Sequence, residues 1–69
     1  MGYEEILNKA LRFGEYTVER KCSHSTVVGM VQWLLMKPAT SNLKVSNNDS
    51  TISFVWDKKY CVINFQTCL

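Results

Sequence analysis

The chain has no apolar run of the ~18 residues needed to cross a bilayer. Its longest apolar stretch, Val27 to Met36, is broken by Gly29 and Gln32, so no membrane segment is expected. It also has no excess of either charge, with 8 Lys+Arg against 6 Asp+Glu and a net charge of +2. That balance argues against a polybasic arm or an acidic tail. Glycine occurs only at Gly2, Gly14 and Gly29, a spacing that builds no phosphate-binding loop. Glu4 and Glu5 stand where a signal peptide carries basic residues. Ile6 stands where N-myristoylation wants Ser or Thr. The three cysteines, Cys22, Cys61 and Cys68, are too few and too irregular for a disulfide framework. The reducing cytoplasm is the expected compartment.

What is present has the composition of a folded domain. Hydrophobic residues make up 46% of the chain, too many for disorder. Sixty-nine residues allow one domain, spanning 1–69. A chain of this length buries only about 60% of its unfolded surface. Burial and chain entropy then nearly cancel, so a partner or a second copy is physically expected to add stability.

Hydrophobic periodicity places two helices and a sheet. Tyr3, Ile6, Leu7, Ala10 and Phe13 share one face at 100° per residue, predicting a helix over Tyr3–Phe13 with Gly14 as its C′ residue. Tyr16, Val18 and Arg20 alternate with Thr17, Glu19 and Lys21. The pattern favours a short strand at 15–21, with a helix extension or plain connector as the alternatives. Ser25–Lys37 reads as the second helix, capped by Ser23 or Ser25 and stopped by Pro38. Its core face would carry Val27, Val31, Leu34 and Leu35; Gly29, Trp33 and Met36 fall on the opposite face. Nine of the twelve residues from Thr40 to Thr51 are Ser, Thr, Asn or Asp, marking turn chemistry. A turn at Asn48-Asp49 would set Val45 opposite Ile52 and Leu43 opposite Phe54. After an Asp57-Lys58-Lys59 turn, Tyr60–Gln66 returns with Cys61, Ile63 and Phe65 on one face. The predicted architecture is α+β, two helices on a three-stranded antiparallel meander, with or without the extra strand at 15–21.

No set of residues suggests catalysis. Cys22 and His24, with Cys61 and Cys68, make a formal Cys₃His set, but without ligand knuckles. A Cys22–His24 nucleophile pair has no third orienting group. Glu4, Glu5, Glu15 and Glu19 fit solvated faces. The expectation is a protein that is not an enzyme and has neither cofactor nor metal.

Two binding surfaces are plausible on residue type. The outer face of the second helix offers Gly29, Trp33, Met36 and Lys37, with Trp33 and Met36 as anchors for a protein partner. The bland alternative is that these side chains are covered by the N-terminal segment, or by Tyr16 and Val18. Aromatics interleaved with cations around the last hairpin, namely Lys44, Trp56, Lys58, Lys59 and Tyr60, would suit RNA or single-stranded DNA. This is the less favoured reading, since cations on a sheet edge also serve as aggregation guards. A meander would further leave Tyr60–Gln66 as an uncharged edge strand able to pair with a second copy.

The stretch from Pro38 to Phe65, with Asn48-Asp49-Ser50-Thr51-Ile52-Ser53-Phe54-Val55-Trp56 and then Tyr60-Cys61-Val62-Ile63, resembles small bacterial and prophage proteins. Those proteins have a helix, a proline, a strand, an Asp-Gly-type turn, a strand ending in Trp, and a last strand. Ser50 departs from the glycine common there, and the resemblance covers under half of the chain. It implies a helix over a meander and no activity, and it suggests a bacterial or phage source. Together these readings predict a non-enzymatic protein-binding module. Its most concrete form is an inhibitor, encoded by a phage or mobile element, of a host defence complex (anti-CRISPR-like) or of a toxin.

Overall fold

The computed structural model describes residues 2–46, 48 and 50–67, with Thr67 through its backbone alone. The elements run α1 (Tyr3–Phe13), β1 (Glu15–Cys22), α2 (His24–Leu35), β2 (Thr40–Val45), β3 (Thr51–Trp56) and β4 (Lys59–Thr67). Helix α1 has the predicted bounds. Glu4 and Glu5 occupy its first turn, where the helix dipole favours negative charge. Gly14 ends it at φ 81°, its N–H bonding the Ala10 carbonyl at 2.8 Å. A side chain there would be strained. Helix α2 is capped by Ser23, whose Oγ accepts from the Thr26 N–H at 3.3 Å.

The sheet is α+β in class but is not a three-stranded antiparallel meander. It has four strands in the order β1-β4-β3-β2 and is mixed. The β2–β3 and β3–β4 pairs are antiparallel, and β1 runs parallel to β4, with Glu15 opposite Val62 and Cys22 opposite Thr67. The Glu15–Lys21 segment is therefore a strand, one residue longer than expected. Its position corrects the expected homodimer through strand 60–66: β4 is an interior strand with both edges occupied. The free edges are β1 and β2, and each carries an irregularity, between Thr17 and Lys21 and between Ser41 and Lys44. Such bulges discourage edge-to-edge association.

Both helices pack on one face of the sheet. The core joins Ile6, Leu7 and Ala10 of α1 and Val27, Met30 and Leu34 of α2 to Val18, Cys22, Ile52, Phe54, Cys61, Ile63 and Phe65 of the strands. No polar or charged residue among those described is buried. The Val45–Ile52 register is as expected. The Leu43–Phe54 pairing gives way to a bulge, because Asn42 adopts φ 53° and one extra residue enters β2 there. Asp49 of the expected Asn48-Asp49 turn lies outside the described residues; Asn48 Oδ1 accepts from Ser46 Oγ at 2.8 Å and Ser50 Oγ at 2.6 Å. The β3–β4 turn is tighter than expected. Trp56 pairs with Lys59 across Asp57 (φ 47°) and Lys58 (φ 72°), the two left-handed residues of a type I′ turn.

Candidate functional site

Helix α2 carries no acidic residue in its first turn and no basic residue in its last. It is apolar around most of its circumference, so the layer above the sheet decides which side chains are hidden. Val27, Met30 and Leu34 point into the core. The flank toward α1 holds Gly29 and Trp33. A Cβ at Gly29 would overlap the Tyr3 hydroxyl and lie 3.1 Å from Tyr3 Cζ, so α1 itself uses the space that glycine leaves. Trp33 is half-buried, its ring 6.0 Å from that of Tyr3 at a tilt of 45°, with the Lys37 ammonium 4.6 Å from its centroid. Of the predicted set Gly29, Trp33, Met36 and Lys37, the first two thus face a neighbouring helix. The N-terminal segment covers Trp33 through Tyr3.

Met36, at the helix C-terminus, is 80% exposed. Leu35 beside it is 64% exposed, not part of the core face that periodicity assigned to it. Val28 is also exposed, and with Val27, Val31, Gln32 and Val45 it lines a groove of about 260 Å³ between α2 and β2. The sequence reading missed Val28 and Leu35 because both sit on a continuous apolar arc. Only the position of β2 shows that the arc overhangs the edge of the sheet. Trp33 and Lys37 meet Trp56, Leu7, Leu11 and Glu4 in a second cleft, on the α1 side.

The nucleic-acid set Lys44, Trp56, Lys58, Lys59 and Tyr60 divides between the two faces of the sheet. Trp56 packs against the core, and Lys59 Nζ donates to the Leu11 carbonyl at the end of α1. Lys44 and Tyr60 lie on the opposite face, which no described element covers, lining a depression with Asn42, Ser53 and Val55. Lys58 is exposed at the turn.

Cys22 and His24 differ in their surroundings. Cys22 is buried, its Sγ donating to the Arg20 carbonyl at 3.6 Å, whereas His24 is exposed at the start of α2. Among the described residues no three His, Cys, Asp or Glu side chains are grouped to hold a metal; Cys68 lies outside them. Burial pushes the Cys61 thiol above its ordinary pKa, with the Lys59 charge opposing that shift. Among the described residues no helix is long and apolar enough to cross a membrane. No family model, curated protein or solved structure matches the chain.

Proposed function

We propose that this chain is a non-enzymatic protein-binding module of the cytoplasm that receives its partner on α2. Its most specific form is an inhibitor of a host defence complex (anti-CRISPR-like) or of a toxin, encoded by a phage or mobile element; the resemblance to prophage proteins supports that form. The observation that carries the binding reading is the overhanging flank of α2. Leu35 and Met36 stand out from the fold at the C-terminal end of the helix, one turn beyond Val31 and Gln32 of the valine-lined groove, with no charged side chain on the helix to keep them wet. Large apolar side chains around a groove, rimmed by polar ones, are the usual core of a protein interface. The docking centre therefore shifts from Trp33 to Leu35 and Met36, with Lys37 at the rim.

The test is to introduce charge on the flank. Trp33 is a poor probe, since its truncation also removes packing against Tyr3. Leu35→Glu/Met36→Glu alters two exposed side chains and should leave the far-ultraviolet circular dichroism and the thermal transition unchanged. Tagged wild type should retain a defined protein from bacterial lysate that the double variant releases and Tyr60→Ala keeps. Equal retention by wild type and double variant refutes the assignment of this face.

A further inference from the structure

We propose a second, independent binding surface: the uncovered face of the sheet takes single-stranded nucleic acid, with Tyr60 as a stacking platform for a base and Lys44 as a phosphate contact. Both helices lie on the other face, so among the described residues no layer covers the outward side chains of β2, β3 and β4. Most of them are small and polar. Tyr60 is the aromatic one, 63% exposed although it sits within a paired strand opposite Val55. An aromatic ring lying open on a sheet is the feature by which sheet modules stack unpaired bases.

The depression beside Tyr60 supplies an independent observation. Asn42, at φ 53°, is in a conformation that asparagine tolerates better than most residues. Asn42 and Lys44, two residues apart on β2, lie on one side of the strand and line one depression with Ser53, Val55 and Tyr60. The resulting space, about 440 Å³, offers a ring face, an amide and a hydroxyl for base edges or sugar. Its one charged side chain is a cation. Lys58, exposed two residues before Tyr60, adds positive charge at the strand's end beside the Asp57 carboxylate. Glu15 on the same face of the sheet is held by Asn64 Nδ2, which donates to its Oε2 at 2.8 Å. Bases that stack and phosphates that pair with ammonium groups fit this chemistry. An apolar helix or an acidic peptide would leave the ring or the amide unused.

The experiment is fluorescence anisotropy with labelled mixed-sequence RNA and DNA strands of about ten nucleotides, titrated from about 20 mM salt upward. At least one strand should bind. Tyr60→Ala should weaken that binding about 5- to 150-fold, the range of a single base–aromatic stack, without changing the salt slope. Tyr60→Phe should restore it. Lys44→Ala should make the slope of log affinity against log salt shallower by about 0.7, the loss of one phosphate contact on a single strand. Met36→Ala should change neither quantity, which separates this surface from the helix flank. Tyr60 and Lys44 are exposed, so both variants should retain the wild-type melting transition. Absence of binding by both strands at the lowest salt overturns the proposal. So does binding that Tyr60→Ala and Lys44→Ala leave intact. Neither result bears on the protein-binding flank of α2.

Discussion

Replacing Gly29 by alanine should destabilise the protein when Tyr3 is present and stabilise it when Tyr3 is absent. In the middle of a helix, alanine is favoured over glycine by about 1 kcal/mol. Here the new methyl group would occupy the position of the Tyr3 hydroxyl, so the tyrosine ring must swing away from α2. Its tilted contact with Trp33 would be lost, at about 1 kcal/mol for an aromatic pair. Roughly 40 Å² of apolar ring and indole surface would return to water, costing about 1 kcal/mol more. The net effect of Gly29→Ala is then about 1 kcal/mol of destabilisation. In a Tyr3→Ala background only the helix term remains, and the same substitution should stabilise by about 1 kcal/mol. The coupling between the two sites is thus about 2 kcal/mol, well above the scatter of independent positions. Urea denaturation of the four proteins in this cycle measures it. In a domain this small each kcal/mol also moves the thermal midpoint by about 4–8 °C. An effect of Gly29→Ala equal in sign and size in both backgrounds would refute the packing of Tyr3 into the glycine notch.

Thr40 Oγ1 is buried without a hydrogen-bond partner; Thr40→Val removes the desolvated hydroxyl at nearly constant volume and should raise stability by about 1 kcal/mol, measured by chemical denaturation. Lys58 holds φ 72° in the β3–β4 turn, where Lys58→Gly should stabilise by about 0.5 kcal/mol and Lys58→Val destabilise by at least about 1 kcal/mol; a shift of the same sign in both would argue against the type I′ geometry. Burial raises the Cys61 pKa above its ordinary 9.0, so the folded protein keeps a proton that the unfolded chain releases. Its contribution to stability is full below about pH 9 and falls as pH rises beyond it. Wild type should therefore lose stability more steeply than Cys61→Ala across that range, and parallel pH profiles would contradict the burial of the thiol.

The local elements were legible in the sequence because their signals are local. Helix α1 shows its apolar stripe, its acidic first turn and its terminal glycine within a dozen residues. The Val45–Ile52 register and the inward face of β4 follow from strict alternation, and a slip of one residue would have put Cys61, Ile63 and Phe65 in water. Helix α2 was recognisable as a helix but not orientable. Its apolar residues cover too much of the circumference for periodicity to tell the core face from an exposed flank. Leu35 was consequently placed in the core, and Gly29 was read as open to a partner.

The four-stranded mixed sheet was decided by tertiary structure alone. Parallel pairing of β1 with β4 joins Glu15 to Val62 across most of the chain, and no turn or spacing in the sequence records that contact. It moves β4 from an edge to the interior and leaves the two bulged strands outside. It also determines where the helix layer ends. Leu35 and Met36 overhang one side of that layer, and Tyr60 and Lys44 look out from the bare face of the sheet. Residue types carried the chemistry of both surfaces; which of those residues share a surface depended on pairing between distant segments, and that is a property of the packed chain.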